Sequence, residues 1–132
     1  VAELDVVAWV HARDGLLLTV RTRGRDLLYL PGGKREPGED DWTAVSREVR
    51  EELGVELERA TFRGLGVLRA AAHDQPDFTH VRMACFTGGH RGEPAPLGEV
   101  DEIRYVGPAE RALLAPASQA ALDLAVAGGL LG

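Results

Sequence analysis

Apolar and polar positions change period along the chain. From Asp40 to Val55, Trp42, Val45, Val49 and Leu53 recur at the three- and four-residue spacing of one helix face. Asp40 is a good N-cap, Asp41 adds an acid to the first turn, and Gly54 stands where a left-handed cap would end the helix. Just upstream, Pro31, Gly32, Gly33, Pro37 and Gly38 break regular structure, which predicts a loop up to Glu39.

Elsewhere the period is shorter. Val1 to His11 reads as a strand, Arg13-Asp14-Gly15 as a turn, and Leu16 to Arg21 as the second half of a hairpin. Leu27 to Leu30 predicts a short strand feeding the Gly32-Gly33 turn. Val55 to Leu57 and Phe62 to Ala72 are further strand candidates, the latter weakened by Gly64 and Gly66. A polar loop follows to Phe78. In Thr79 to Thr87, His80, Arg82 and Ala84 alternate with Val81, Met83 and Cys85, a strand pattern. Gly88 to Gly98 reads as an irregular loop, continued acidically by Glu99 to Glu102, and Ile103 to Val106 as a short strand. A helical turn from Pro108 and a final helix, Ala117 to Ala127, complete a mixed α and β chain with no internal repeat.

Composition narrows this picture. A chain of 132 residues with 45% hydrophobic content suits one domain, 1–132, with a single core. A net charge of -6 argues against a sequence-independent binder of nucleic-acid polymers. It does not argue against a nucleotide, because bound magnesium can reverse the local field. Cys85 lies in an apolar run, is expected to be buried, and has no internal partner for a disulfide. The chain shows no signal-peptide pattern and no apolar run of about 18 residues, so the expectation is a cytoplasmic protein without a membrane partner.

The predicted helix carries the chemistry. Glu48, Glu51 and Glu52 share one face beside the apolar stripe. Like charges one turn apart cost a few tenths of a kcal/mol each when exposed, and more when partly buried. Arg47 reaches Glu51 at i+4 and relieves some of this. A solvated acidic face is the ordinary reading of such a cluster. Its place beside a buried stripe and after a Gly-rich turn instead suits a hard divalent cation with oxygen ligands.

The stretch resembles the Nudix box: Gly33, Glu39, Arg47-Glu48, Val49, Glu51-Glu52, Gly54 and Val55, with every fixed position filled over 23 residues. The resemblance implies the Nudix fold, an α/β/α sandwich around a mixed β-sheet, and hydrolysis of a nucleoside diphosphate linked to another group. It implies that Glu48, Glu51 and Glu52 bind Mg2+ or Mn2+ with the carbonyl of Gly32. Arg47 would position the carboxylates, Glu39 would tie loop to helix, and Gly33 and Gly54 would be structural. Many Nudix proteins add a loop glutamate as base or ligand; Glu99 is the first choice here and Glu102 the second. Arg21 and Arg23 are candidates for holding terminal phosphates. His73 and His80 are weighed as base contacts or general bases against ordinary loop and strand residues, and Trp9 as a stacking platform against core.

The run Pro31 to Lys34 resembles the triphosphate-cleaving, MutT-like branch. That branch suggests hydrolysis of a nucleoside triphosphate to monophosphate and pyrophosphate. The asparagine that reads oxidised guanine in MutT has no counterpart, since the chain contains no asparagine. Two alternatives stand beside this reading: an ADP-ribose or nucleotide-sugar pyrophosphatase, and a non-catalytic nucleotide-binding sensor. Three mutually repelling acids count against the sensor. The expected partner is a small-molecule nucleotide; a homodimer is left open.

Overall fold

The structure, a computed structural model, describes residues 2–131. In chain order its elements are β1 (Glu3–Trp9), β2 (Ala12–Arg13), β3 (Leu16–Thr22), β4 (Gly32–Lys34), α1 (Asp41–Leu53), β5 (Glu56–Leu57), β6 (Arg63–Ala71), β7 (His80–Thr87), β8 (His90–Arg91), β9 (Val100–Val106) and α2 (Pro116–Ala127). Short 3-10 turns lie at Arg59–Thr61 and Pro108–Leu113.

The strands form a sheet in the order β4-β1-β7-β6, a second in the order β2-β3-β9, and the small pair β5-β8. The central pair β1-β7 is parallel and matches Leu4 with Val81 and Ala8 with Cys85; its outer neighbours are antiparallel, so the sheet is mixed. Alternation along β1 supplies both faces. Leu4, Ala8 and Val10 pack with Met83, Ala121 and Leu122 on the α2 side. Val7 and Trp9 pack with Val45, Val49 and Leu53 on the α1 side. This is the expected sandwich, and the periodic stripe of α1 is its inner face. Trp9 is fully buried, a core residue. Cys85 is buried too, and burial pushes its thiol up to about 12. No helix among the described residues is long and apolar enough to cross a membrane.

Two expectations change around the acidic helix. Leu27 to Leu30 makes no strand; it makes single bridges, Tyr29 to Val20 and Leu28 to Leu114. The main chain of Leu28 is used twice toward the start of α2, donating to the Leu113 carbonyl and accepting from Ala115 at 2.9 Å each. The segment is thus pinned between β3 and α2 without a continuous ladder. The strand lies later, at Gly32–Lys34, where a turn was expected. It pairs antiparallel with β1, Gly32 opposite Ala8. A Cβ on Gly32 would strike the Val7 carbonyl and sit 2.8 Å from Ala8 Cα, so only glycine lets this edge strand approach. Likewise β8 falls inside the stretch read as irregular, where it pairs with β5.

Candidate active site

Helix α1 begins where Thr43 N–H donates to Asp40 Oδ1 at 2.8 Å, and ends on Gly54 at φ 71, the left-handed cap expected from the sequence. Between these caps Arg47 is the hub. Its Nε and Nη2 donate to the two oxygens of Glu39 at 2.7 and 2.9 Å. Its Nη1 donates to Glu48 at 2.7 Å and to Glu51 at 2.9 Å, and Nη2 also reaches the Lys34 carbonyl at 3.1 Å. Glu39 accepts in addition from the Glu36 N–H at 2.8 Å. One guanidinium therefore ties the loop, β4 and two of the helix carboxylates together.

The three acids of the shared face have different surroundings. Glu51 is open to solvent, its side chain 57% exposed, whereas that of Glu48 is 15% exposed. Burial raises the Glu48 carboxyl above its ordinary value, opposed by its hydrogen bond to Arg47. Glu52 receives the Gly32 N–H at 3.0 Å. Burial first, and the charges of Glu48 and Glu51 after it, push Glu52 up to about 8 against that hydrogen bond. A Cβ on Gly33 would lie 2.8 Å from Glu48 Cδ, so the bare backbone at Gly33 is what leaves room for that carboxylate.

This donor set fits a hard divalent cation. All its donors are oxygens, and two of its carboxyls are raised, first by burial and then by the charge of neighbouring glutamates, a cost that a bound cation would offset. In the structure Arg47 supplies the charge for Glu48 and Glu51, and Gly32 partners Glu52. Among the described residues, the metal-ligand-type atoms gathered within 4.8 Å belong instead to Asp26, His73 and Asp74.

Arg21 and Glu102 pair across β3 and β9, and Arg23 and Glu99 pair just beyond the ends of those strands. Arg21 pairs with Glu102 and, at 3.9 Å, with Asp101. Glu102 also pairs with Arg104 at 3.1 Å. The Arg23 N–H donates to the Glu99 carbonyl at 2.8 Å, and their side chains approach to 3.9 Å with Glu99 82% exposed. His80 is exposed on β7 and contacts Thr79 at 3.0 Å. His73 is half-buried and bonded through Nδ1 to the Tyr29 hydroxyl at 2.5 Å.

A cavity of about 220 Å³ opens beside Glu52, with Gly32, Gly33 and Lys34 on its wall. Leu4, Val6, Val81, Met83 and Ala117 give it an apolar lining, and Tyr29, Arg25 and His73 a polar end. Tyr29 was not visible as a site residue from the sequence. The one signal was a polar aromatic among leucines just ahead of the Gly-Gly pair.

A mixed sheet between two helices, with an arginine-held acidic cluster on α1, is the arrangement that the resemblance to the Nudix box implies. A family model described as NUDIX domain matches residues 2–124, and the chain belongs to that family. It is similar to CTP pyrophosphohydrolase of Escherichia coli (strain K12), 46% identical over 57 residues; these are 40% of this chain and 42% of that protein, under half its length. Among solved structures, the E. coli ORF135 protein superposes with a TM-score of 0.75 at 26% identity, covering 95% of this chain and 89% of that one. MutT NUDIX hydrolase from Burkholderia pseudomallei superposes with a TM-score of 0.74 at 24% identity, covering 93% and 98%.

Proposed function

We propose that the chain, acting as one domain in the cytoplasm, hydrolyses a nucleoside triphosphate to the monophosphate and pyrophosphate with Mg2+ or Mn2+. The observation that carries this reading is the adjacency of Glu52, Gly32 and Gly33 to a largely apolar cavity with one polar end. Such a cavity suits a nucleoside, and the acidic helix beside it suits the polyphosphate. The similarity to a protein named CTP pyrophosphohydrolase supports a triphosphate.

Glu48, Glu51 and Glu52, with the Gly32 carbonyl, would hold the cation. When bound, it supplies the positive charge an anionic polyphosphate needs before water can attack. Arg47 is a positioning residue, since its donors are taken up by Glu39, Glu48, Glu51 and Lys34. Glu39 anchors that guanidinium. Glu99 is the proposed proton acceptor, because it is far less committed than Glu102, which two arginines hold. Arg21 and Arg23 would meet the distal phosphates by exchanging their present acidic partners for substrate oxygens.

A nucleotide panel assayed with magnesium, reading orthophosphate against pyrophosphate, tests the proposal. The expected result is monophosphate and pyrophosphate from at least one triphosphate, CTP included in the panel. Cleavage of ADP-ribose with no triphosphate turned over would replace it with the diphosphate-linked alternative.

A further inference from the structure

The polar end of the cavity joins Arg25, Tyr29 and His73 in one hydrogen-bonded chain. Tyr29, just ahead of β4, meets His73 from the loop between β6 and β7. His73 Nε2 lies 3.4 Å from Asp26 Oδ1, and a carboxylate oxygen only accepts. Asp26 makes no hydrogen bond there, but its carboxylate stands nearer to Nε2 than Asp74 stands to Nδ1, which favours the neutral tautomer with its proton on Nε2 and Nδ1 an acceptor. On that tautomer the Tyr29 hydroxyl, 2.5 Å from Nδ1, gives its proton to that nitrogen. Asp74 Oδ2 lies 3.8 Å from Nδ1, beyond hydrogen-bond reach, and 4.0 Å from Arg25. Burial raises the Tyr29 phenol above its ordinary range, so it remains a hydroxyl.

Arg25 completes the arrangement. Its Nη1 donates to Tyr29 Oη at 3.3 Å, and its guanidinium carbon lies 5.6 Å from the centre of the Tyr29 ring. The same Nη1 faces the carbonyls of His73 and Asp74 at 3.4 and 3.3 Å, holding the loop against the cavity. Tyr29 Oη thus has its proton committed and one lone pair used. What it still offers is a second lone pair, an acceptor. Gln75, at the same end, offers either polarity through its amide and decides nothing.

We propose that Tyr29 is a specificity-determining residue whose hydroxyl oxygen accepts a hydrogen bond from an exocyclic amino group of the nucleobase. Cytosine and adenine nucleotides are favoured over their carbonyl counterparts, uracil and hypoxanthine. A carbonyl there would set acceptor against acceptor in a partly buried site, which costs more than a missing hydrogen bond. The inference rests on the reading that this cavity holds the nucleoside. His73 and Arg25 are positioning residues that fix the polarity of Tyr29.

The test compares kcat/KM for CTP and UTP, which differ at the base edge and not in ring size, in wild type, Tyr29→Phe and His73→Leu. Wild type should favour CTP by about 10- to 100-fold, mostly through KM. Tyr29→Phe keeps the ring packing and should bring the ratio to within about threefold of unity. His73→Leu frees the phenol proton to point at the base, so its ratio should fall and move toward UTP. A structural role for His73 would lower both rates alike. No preference for CTP in wild type, or an unchanged ratio in Tyr29→Phe, overturns the inference while leaving triphosphate hydrolysis in place. If neither triphosphate is cleaved, the functional reading fails. Calorimetric binding of CMP and UMP to the same proteins then decides the base preference, and equal affinities overturn it.

Discussion

Arg47 meets Glu39 as a fork, Nε on Oε2 at 2.7 Å and Nη2 on Oε1 at 2.9 Å. The pair joins the loop ahead of α1 to the helix turn that carries Glu48 and Glu51. The Glu39 carboxyl is held down to about 2, first by Arg47 and then by the Glu36 N–H. A depressed carboxyl contributes stability above its unfolded value that is lost as pH falls through the folded value. Thermal melts between about pH 5 and pH 2 should show an acid-dependent loss that Glu39→Gln flattens. Arg47→Lys, which cannot make the fork, should lower both melting temperature and rate.

Glu52 has the opposite sign. Its carboxyl, raised to about 8, contributes stability below the unfolded value that is lost as pH rises through the folded one. Metal-free protein should therefore resist urea less at pH 9 than at pH 5, and Glu52→Gln should remove that decline. The same variant should keep its fold and lose at least about two orders of magnitude in rate with magnesium. Near-wild-type turnover would contradict the assignment of Glu52.

Gly33 should tolerate no side chain, because a Cβ would press on Glu48. Gly33→Ala is expected to weaken magnesium or manganese binding by about 10- to 100-fold, measured by calorimetry, with a matching fall in rate. Unchanged metal affinity would make β4 a connector only.

Hydrolysis in oxygen-18 water should label the monophosphate or the pyrophosphate and leave orthophosphate unlabelled. Label in orthophosphate would mean attack on the terminal phosphorus.

The acidic helix was legible because its information is local. Cap, stripe and acids lie within one stretch, and α1 spans Asp41–Leu53 as the spacing required. The strand at Gly32–Lys34 was not, because two glycines read as a turn until β1 is seen to need a partner without side chains. Leu27 to Leu30 failed for the converse reason. Its composition suits a strand, but its neighbours take its hydrogen bonds one at a time. The polar end of the cavity was the least legible part. Tyr29 and His73 are 44 positions apart, and no periodicity relates them.

The parallel pairing of β1 with β7 also orders events in time. Glu3 aligns with His80, so the middle of the main sheet cannot close until the chain has been made past Thr87. A parallel pair needs its crossover first, and here the crossover includes α1 and the acidic site. During synthesis the carboxylates and Arg47 emerge before the sheet that will support them. Contacts this distant in sequence are slow to form. A nascent chain stalled before β7 would therefore carry every residue of the acidic cluster without the central strand pairing that completes its support.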